Sequence, residues 1–381
     1  MHSLGVFRPI RHMFRLLVSG VLEVSFRRPK PVEVVIWDEN GAQSLLEAID
    51  PPSYHILKVR TQIYLHPLII WRTLIRGLSG PGAHYGLVIE CCKPRTVVTF
   101  IDNSTEFHRM ASRFPDVSFI AFQNGFRTPD YPDRPPHLGA PVRYNSTQLC
   151  WGQNEIDFFN ARGHQFKEIK AMGSLQNTLF YRAFHDSTKS VGDIYDLVLI
   201  STFRKKYSEE IHPPLAYVAY EKVVFFLRSY LESHDGLRVC VAMASGSDDA
   251  AHDSERLFHK KLLGNLASLV PKSTDAMSSY LTTEQSNVVV SASSALGIES
   301  LARGRKTLMC NDPLAETFEG QPFFPDWILR HMDQETFDMA IKKLLAISQE
   351  DFLLRNKNSM KYFIVPPHEN SISEIRKEVL G

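Results

Sequence analysis

The residues best suited to chemistry lie in Val288-Val289-Val290-Ser291-Ala292-Ser293-Ser294-Ala295-Leu296-Gly297-Ile298-Glu299, which reads as a buried strand, a small polar turn and a helix start. The first amides of a helix have no intrahelical acceptor, and the macrodipole adds positive character, so this junction suits an anion such as a phosphate. Ser293 and Ser294 add hydroxyls, Gly297 permits close approach, and Glu299 sits about one turn inside, positioned for ribose hydroxyls. A plainer alternative stays open, in which a serine caps the helix and Glu299 lies on its solvated face.

Strands and helices must alternate to place such a junction. Val32 to Trp37, Tyr54 to Val59, Thr96 to Ile101, Val117 to Phe122, Thr147 to Trp151 and Glu168 to Met172 read as short strands. Helical stretches intervene, notably His66 to Leu78. The Pro- and Asp-rich run Phe126 to Val142 reads as a long loop, a length more often functional than idle. The same grammar restarts with strands at Ile194 to Ile200, Leu237 to Met243, Asn287 to Val290 and Thr307 to Cys310. Alternation of this kind predicts parallel sheets with right-handed crossovers. The expected fold is α/β, with two Rossmann-like domains facing a cleft. Residues 1–31 form a basic amphipathic segment, 32–172 an N-terminal domain, 173–348 a C-terminal nucleotide domain, and 349–381 a helical tail.

The chain has 381 residues, of which 44% are hydrophobic and 22% charged, an ordinary globular composition that excludes wholesale disorder. Lys plus Arg number 43 and Asp plus Glu 42, so bulk charge does not point to a nucleic-acid partner. Five cysteines, an odd count with no C-x-x-C, argue against a disulfide framework or zinc ribbon and fit a reducing compartment. Near the N-terminus, Phe14, Leu17, Val18, Val21 and Leu22 fall on one helical face among Arg8, Arg11 and Arg15. Two readings remain open for residues 8–30: a helix docked on the protein's own body, or one lying on the inner-membrane surface.

The run from Ser293 to Leu308 resembles the donor-site signature of bacterial surface-polysaccharide glycosyltransferases of the GT-B fold, with a Ser-Ser turn, a Gly, a Glu one turn on and a basic helix exit. Phe100-Ile101-Asp102-Asn103, Gln123-Asn124-Gly125-Phe126-Arg127, Met172-Gly173-Ser174 and Leu199-Ile200-Ser201-Thr202-Phe203-Arg204 resemble further pieces of the same surface carbohydrate biosynthesis family (capsule and O-antigen), and the likeness covers roughly residues 32 to 311. The resemblance implies a cytoplasmic, nucleotide-sugar-dependent enzyme that extends a glycan or lipid-linked glycan acceptor. A more distant resemblance to transferases using CMP-sugars rests on Asp38-Glu39-Asn40-Gly41 and His212-Pro213, imperfect counterparts of an acidic-acidic-Gly and a His-Pro motif.

Sugar transfer needs a base for the acceptor hydroxyl and stabilisation of the departing phosphate. Asp102, ending an apolar strand, is the first nominee for the base, with a helix-capping role as its alternative; Asp38 and Glu39 are the second choice. Asn103, Gln123 and Asn124 are assigned to substrate contacts, and Gly125 to a tight turn. Ser201, Thr202 and Arg204 are assigned to donor phosphate, Arg204 because its planar fork matches phosphate oxygens. No Asp-x-Asp motif occurs, which implies transfer without a metal; no other cofactor is expected, the nucleotide sugar being a substrate. Rival readings are a nucleotide-sugar 2-epimerase of the same architecture, a non-catalytic nucleotide- or glycan-binding protein, and a transferase of polyol phosphate from a CDP-linked donor.

Overall fold

A computed structural model describes residues 23–75, 81–127, 142–188, 194–208, 210, 214–273, 277–319 and 324–381. The first half supplies strands β1 (Glu23–Ser25), β2 (Val34–Trp37), β3 (Tyr54–Leu57), β4 (Gln62–Tyr64), β5 (Thr96–Thr99), β6 (Ser118–Phe122), β7 (Arg143–Cys150) and β8 (Gln165–Ala171). The second supplies β9 (Tyr195–Ile200), β10 (Val239–Gly246), β11 (Ser268–Lys272), β12 (Ser286–Ser291) and β13 (Lys306–Met309). They form two separate parallel sheets, ordered β3-β2-β5-β6-β7-β8 and β11-β10-β9-β12-β13, while β1 and β4 pair as a small ribbon. The architecture is the expected one of two Rossmann-like sheets.

Strand composition follows from burial on both faces. All four residues of β2, Val-Val-Ile-Trp, are buried, as parallel strands covered by helices on each side require. Val34 and Ile36 enter one core cluster with Leu45, Val98 and Ile120, whereas Val35 and Trp37 enter another with Val97 and Phe119. Side chains two apart share a face, so one strand feeds two cores. In the second sheet Leu197, Leu199, Val288 and Val290 join the largest cluster, which extends through Trp151 and Phe363 to the end of β7.

Several elements depart from the sequence reading. The domain boundary expected at 172/173 is followed directly by the helix Leu175–Thr188. Pro81–Cys92 is also a helix, and its Leu87, Val88, Ile89 and Cys92 are all buried, so it carries no polar stripe for periodicity to reveal. Glu23–Ser25, inside the expected amphipathic segment, is extended and pairs in parallel with β4. Its proposed apolar face, the core of the Phe126–Val142 loop and His212-Pro213 lie outside the described residues.

The chain ends by returning to the first sheet. The helix Gln349–Phe363 leads into a crossing at Val365, whose amide donates to Trp151 O at 2.8 Å. The helix Ser371–Leu380 then covers the first sheet, with Ile375 and Val379 in the cluster of Val34 and Ile36. Thr96 Oγ1 donates to Val379 O at 3.0 Å, and Lys170 Nζ lies 2.8 Å from Glu378.

Two glycines make room for the crossing. A Cβ on Gly152 would lie 2.5 Å from the Phe363 carbonyl carbon, and one on Gly173 would lie 2.7 Å from Val365 O. Gly173 also has φ +80°, in the left-handed region that other residues enter at a cost. Gly173→Ala is therefore expected to lose about 1–3 kcal/mol, read as a lower urea midpoint. Gly125→Ala should leave that midpoint unchanged, because a Cβ there meets nothing within 4 Å and Gly125 has no positive φ. The tight turn expected to need glycine at 125 does not need one.

Candidate functional site

In the second sheet β9 is central, and the chain moves to β10 and β11 on one side but to β12 and β13 on the other. Neighbouring crossovers diverge there, leaving a crevice beyond the carboxyl ends of β9 and β12. A cavity of about 570 Å³ occupies it, a volume suited to a small organic ligand. Ser201, Thr202 and Arg204 line it from the end of β9, and Ser293, Ser294 and Leu296 from the end of β12. Of the sequence-nominated donor residues, these five polar ones share one cavity.

Local chemistry explains the helix start. Ser294 takes an extended backbone, φ −76° and ψ 135°, and its Oγ accepts from Leu296 N at 3.3 Å, capping the helix Ala295–Ala302. Ser291 Oγ in turn accepts from Ser294 N at 3.1 Å. Among the described residues, Arg204 and Lys272 are the only charged side chains on the lining, and both are cations. With the helix N-terminus they give the cavity one electrostatic sign. Lys272 escaped the sequence reading because Pro271 interrupts the pattern of its strand.

The other nominated donor residues do different work. Ser201 donates its hydroxyl proton to Glu255 Oε1 at 2.5 Å and accepts from Phe203 N at 3.2 Å, so it has no donor left for a phosphate. Glu255, 1% exposed, also accepts from Ala244 N, Ser245 N and Ser245 Oγ, joining the ends of β9 and β10. It is an organising residue that the sequence did not flag. Gly297 does not approach a ligand: its Cβ would sit 2.7 Å from Ser291 Cβ and 2.8 Å from Met309 Sδ. Glycine there seats the helix on the sheet.

Glu299 is also absent from the cavity lining. It is 4% exposed and accepts from Ser174 Oγ, just before the helix Leu175–Thr188, and from Tyr280 OH at 2.7 Å. Burial pushes its pKa up, against the opposing pull of Ser174, Tyr280 and Arg303. Arg303 lies 4.9 Å from the centroids of both Phe180 and Tyr280 and donates to Glu284 at 2.6 Å and Asn177 at 2.5 Å. One short helix thus opens its N-terminus to the cavity and grips the interdomain helix further along.

In the first sheet the corresponding switch lies between β2 and β5. Asp102, beyond β5, is 1% exposed. Its Oδ2 accepts from Arg127 at 2.5 Å and Gln148 at 3.1 Å, and its Oδ1 from Asn124 N at 3.4 Å. Arg127 also pairs with buried Glu155. Burial alone would lower the Arg127 pKa, but Asp102 and Glu155 outweigh it and hold the guanidinium charged. Burial raises the Glu155 pKa, with Arg127 pulling it back. Asp102 is therefore a buried structural carboxylate without access to an acceptor, which corrects its nomination as base. Its helix-cap alternative also fails, because Ser104 Oγ accepts from Phe107 N and caps Thr105–Arg113.

Gln123 is likewise internal. It accepts from Trp151 N at 2.6 Å, donates to Gly125 O at 2.9 Å, and is 3% exposed, which corrects its assignment to substrate. Asn103, Asn124 and Gly125 stay partly exposed at the same sheet edge. Asp38 (φ 81°) is tied to Arg60 at 2.8 Å and to Asn40 N. Glu39 Oε1 accepts from Thr61 Oγ1 at 2.8 Å, whereas Oε2 has no hydrogen-bond partner among the described residues. Those residues also contain no cluster of His, Cys, Asp or Glu able to hold a metal, and no helix long and apolar enough to cross a membrane.

Solved structures share this fold over nearly the whole chain. The Staphylococcus aureus MnaA–UDP co-structure superposes with a TM-score of 0.55 at 13% identity, covering 91% of this chain and 94% of that one. The Methanocaldococcus jannaschii UDP-GlcNAc 2-epimerase in complex with UDP-GlcNAc and UDP gives 0.51 at 14% identity, with 91% and 98% covered. Sucrose-phosphate synthase from Thermosynechococcus elongatus gives 0.52 at 12% identity, with 92% and 98% covered. The fold is of the GT-B type. Residues 192–322 match a family described as "putative O-antigen biosynthesis protein". The chain has no match among curated proteins.

Proposed function

We propose that the protein transfers a sugar from a nucleotide-sugar donor to a growing surface polysaccharide or glycolipid acceptor. The observation that carries this reading is the cationic cavity at the β9/β12 switch, with Arg204, Lys272 and a serine-capped helix start converging on one space. All of its lining residues fall within the segment matching the O-antigen biosynthesis family. The similar structures solved in complex with UDP or UDP-GlcNAc support a nucleoside diphosphate as the anion.

In the transfer, the acceptor hydroxyl oxygen bonds to the anomeric carbon as the bond from that carbon to the phosphate oxygen breaks. The departing phosphate takes the electron pair, and Arg204, Lys272 and the helix N-terminus offset its charge. The hydroxyl proton passes to a carboxylate. Glu39 is our choice, because it is the one nominated carboxylate that is not fully buried, and its Oε2, itself covered in this structure, has no hydrogen bond to surrender on taking up a proton. Glu39→Gln should lower turnover roughly 10²–10⁴-fold while leaving nucleotide affinity intact. Undiminished turnover would remove Glu39 from the role.

A second reading, a 2-epimerase acting on the nucleotide sugar alone, draws support from the similar epimerase structure. Thermal-shift screening against CMP, CDP, UDP, GDP and their sugars identifies the nucleotide, since a ligand that binds only the folded form raises its melting temperature. Product analysis then decides: isomerised nucleotide sugar without acceptor marks the epimerase, and acceptor-dependent release of free nucleotide marks the transferase. If no nucleotide shifts the melting temperature, both readings fall.

A further inference from the structure

A second cavity, of about 590 Å³, lies at the free edge of the first sheet, where β3 ends the strand order. The basic segment after β1 forms one wall, and β3 and β4 the other. Among the described residues, four cations line it (Arg27, Arg28, Lys30 and Lys58) and no carboxylate does. Glu23, which pairs with Lys58 at 2.9 Å, is outside the lining. In a chain with a net charge of +1 this is a strong local excess.

Large apolar side chains are exposed beside these charges. Phe26 is 69% exposed and Tyr54, on the cavity wall, 49%. The parallel register Ser25↔Tyr64 continues to place Phe26 beside Leu65, itself 37% exposed, and Leu65 N donates to Ser25 O at 2.8 Å. A soluble phosphate needs the cations but not the aromatics. A lipid surface uses both, because aromatic rings settle at the headgroup level while basic residues meet anionic headgroups.

We propose that this edge of the first domain docks on an anionic phospholipid bilayer, with headgroup phosphates entering the basic cavity and Phe26 and Leu65 entering the interfacial layer. The inference is independent of the nucleotide cavity and of the sugar chemistry. Flotation of the full chain tests it, with vesicles of phosphatidylcholine alone or supplemented with phosphatidylglycerol. The protein should float only with the anionic vesicles. Combined Arg27→Glu, Arg28→Glu and Lys30→Glu should weaken partitioning on the order of a hundredfold or more, and Phe26→Ala roughly tenfold. An unchanged melting temperature shows that the variants are folded; if the triple variant melts early, Arg28→Gln with Lys30→Gln replaces it and should still weaken partitioning severalfold. Absence of flotation, equal flotation with both vesicle types, equal partitioning of wild type and charge variants, or full release by millimolar inorganic phosphate would each overturn the proposal, the last by showing a site for soluble phosphate.

Discussion

Arg127→Met is expected to cost about 3–5 kcal/mol of folding stability, because it leaves two carboxylates buried without their cation. Asp102 and Glu155 are 1% and 3% exposed, and Arg127, at 4%, pairs with both. The loss should depend on pH in a defined direction. Glu155 already titrates above its ordinary range because burial disfavours its charged form. Removing Arg127 raises that pKa further. A carboxyl group with a raised folded-state pKa favours folding most below its unfolded pKa, and that contribution disappears as pH rises through the folded value. The deficit of the variant should therefore shrink as pH falls toward the acid range and be largest near neutrality. Urea melts at several pH values check this, and a deficit growing toward acid pH would refute the assignment.

Arg204→Ala combined with Lys272→Ala is expected to weaken nucleoside diphosphate binding at least about a hundredfold, since each charge-assisted hydrogen bond contributes roughly 1.5–3 kcal/mol. Both side chains stand on the lining of one cavity, with no carboxylate among its described residues. The remaining helix start does not replace two full charges. Titration calorimetry of wild type and variant with the nucleotide found by thermal shift gives the ratio. Raising ionic strength should narrow the gap, because exposed charges are screened. An unchanged affinity would move the anion site elsewhere.

What could be read from the sequence depended on whether the cause was local. The β12 junction was legible because its ingredients adjoin: a valine run, small polar residues, then a helix with serine at the cap. The alternation of strands and helices likewise disclosed two parallel sheets. Asp102 was misread because its decisive partner, Arg127, is 25 residues further on in a stretch without periodicity. Glu299 was misread for the same reason, its contact Ser174 lying 125 residues earlier. Helix Pro81–Cys92 carries apolar residues around its buried run and so lacks the amphipathic stripe that identifies a surface helix. Lys272 was hidden behind a proline at the end of an edge strand, where proline is tolerated.

The closing helix Ser371–Leu380 sets an order of events during synthesis. Domains usually fold in turn as they leave the ribosome, yet here the first sheet receives Ile375 and Val379 into its core from a helix made after the whole second sheet. The first sheet must wait, partly uncovered, until Ser371–Leu380 has been made. A nonsense codon ahead of that helix would therefore damage the portion made first.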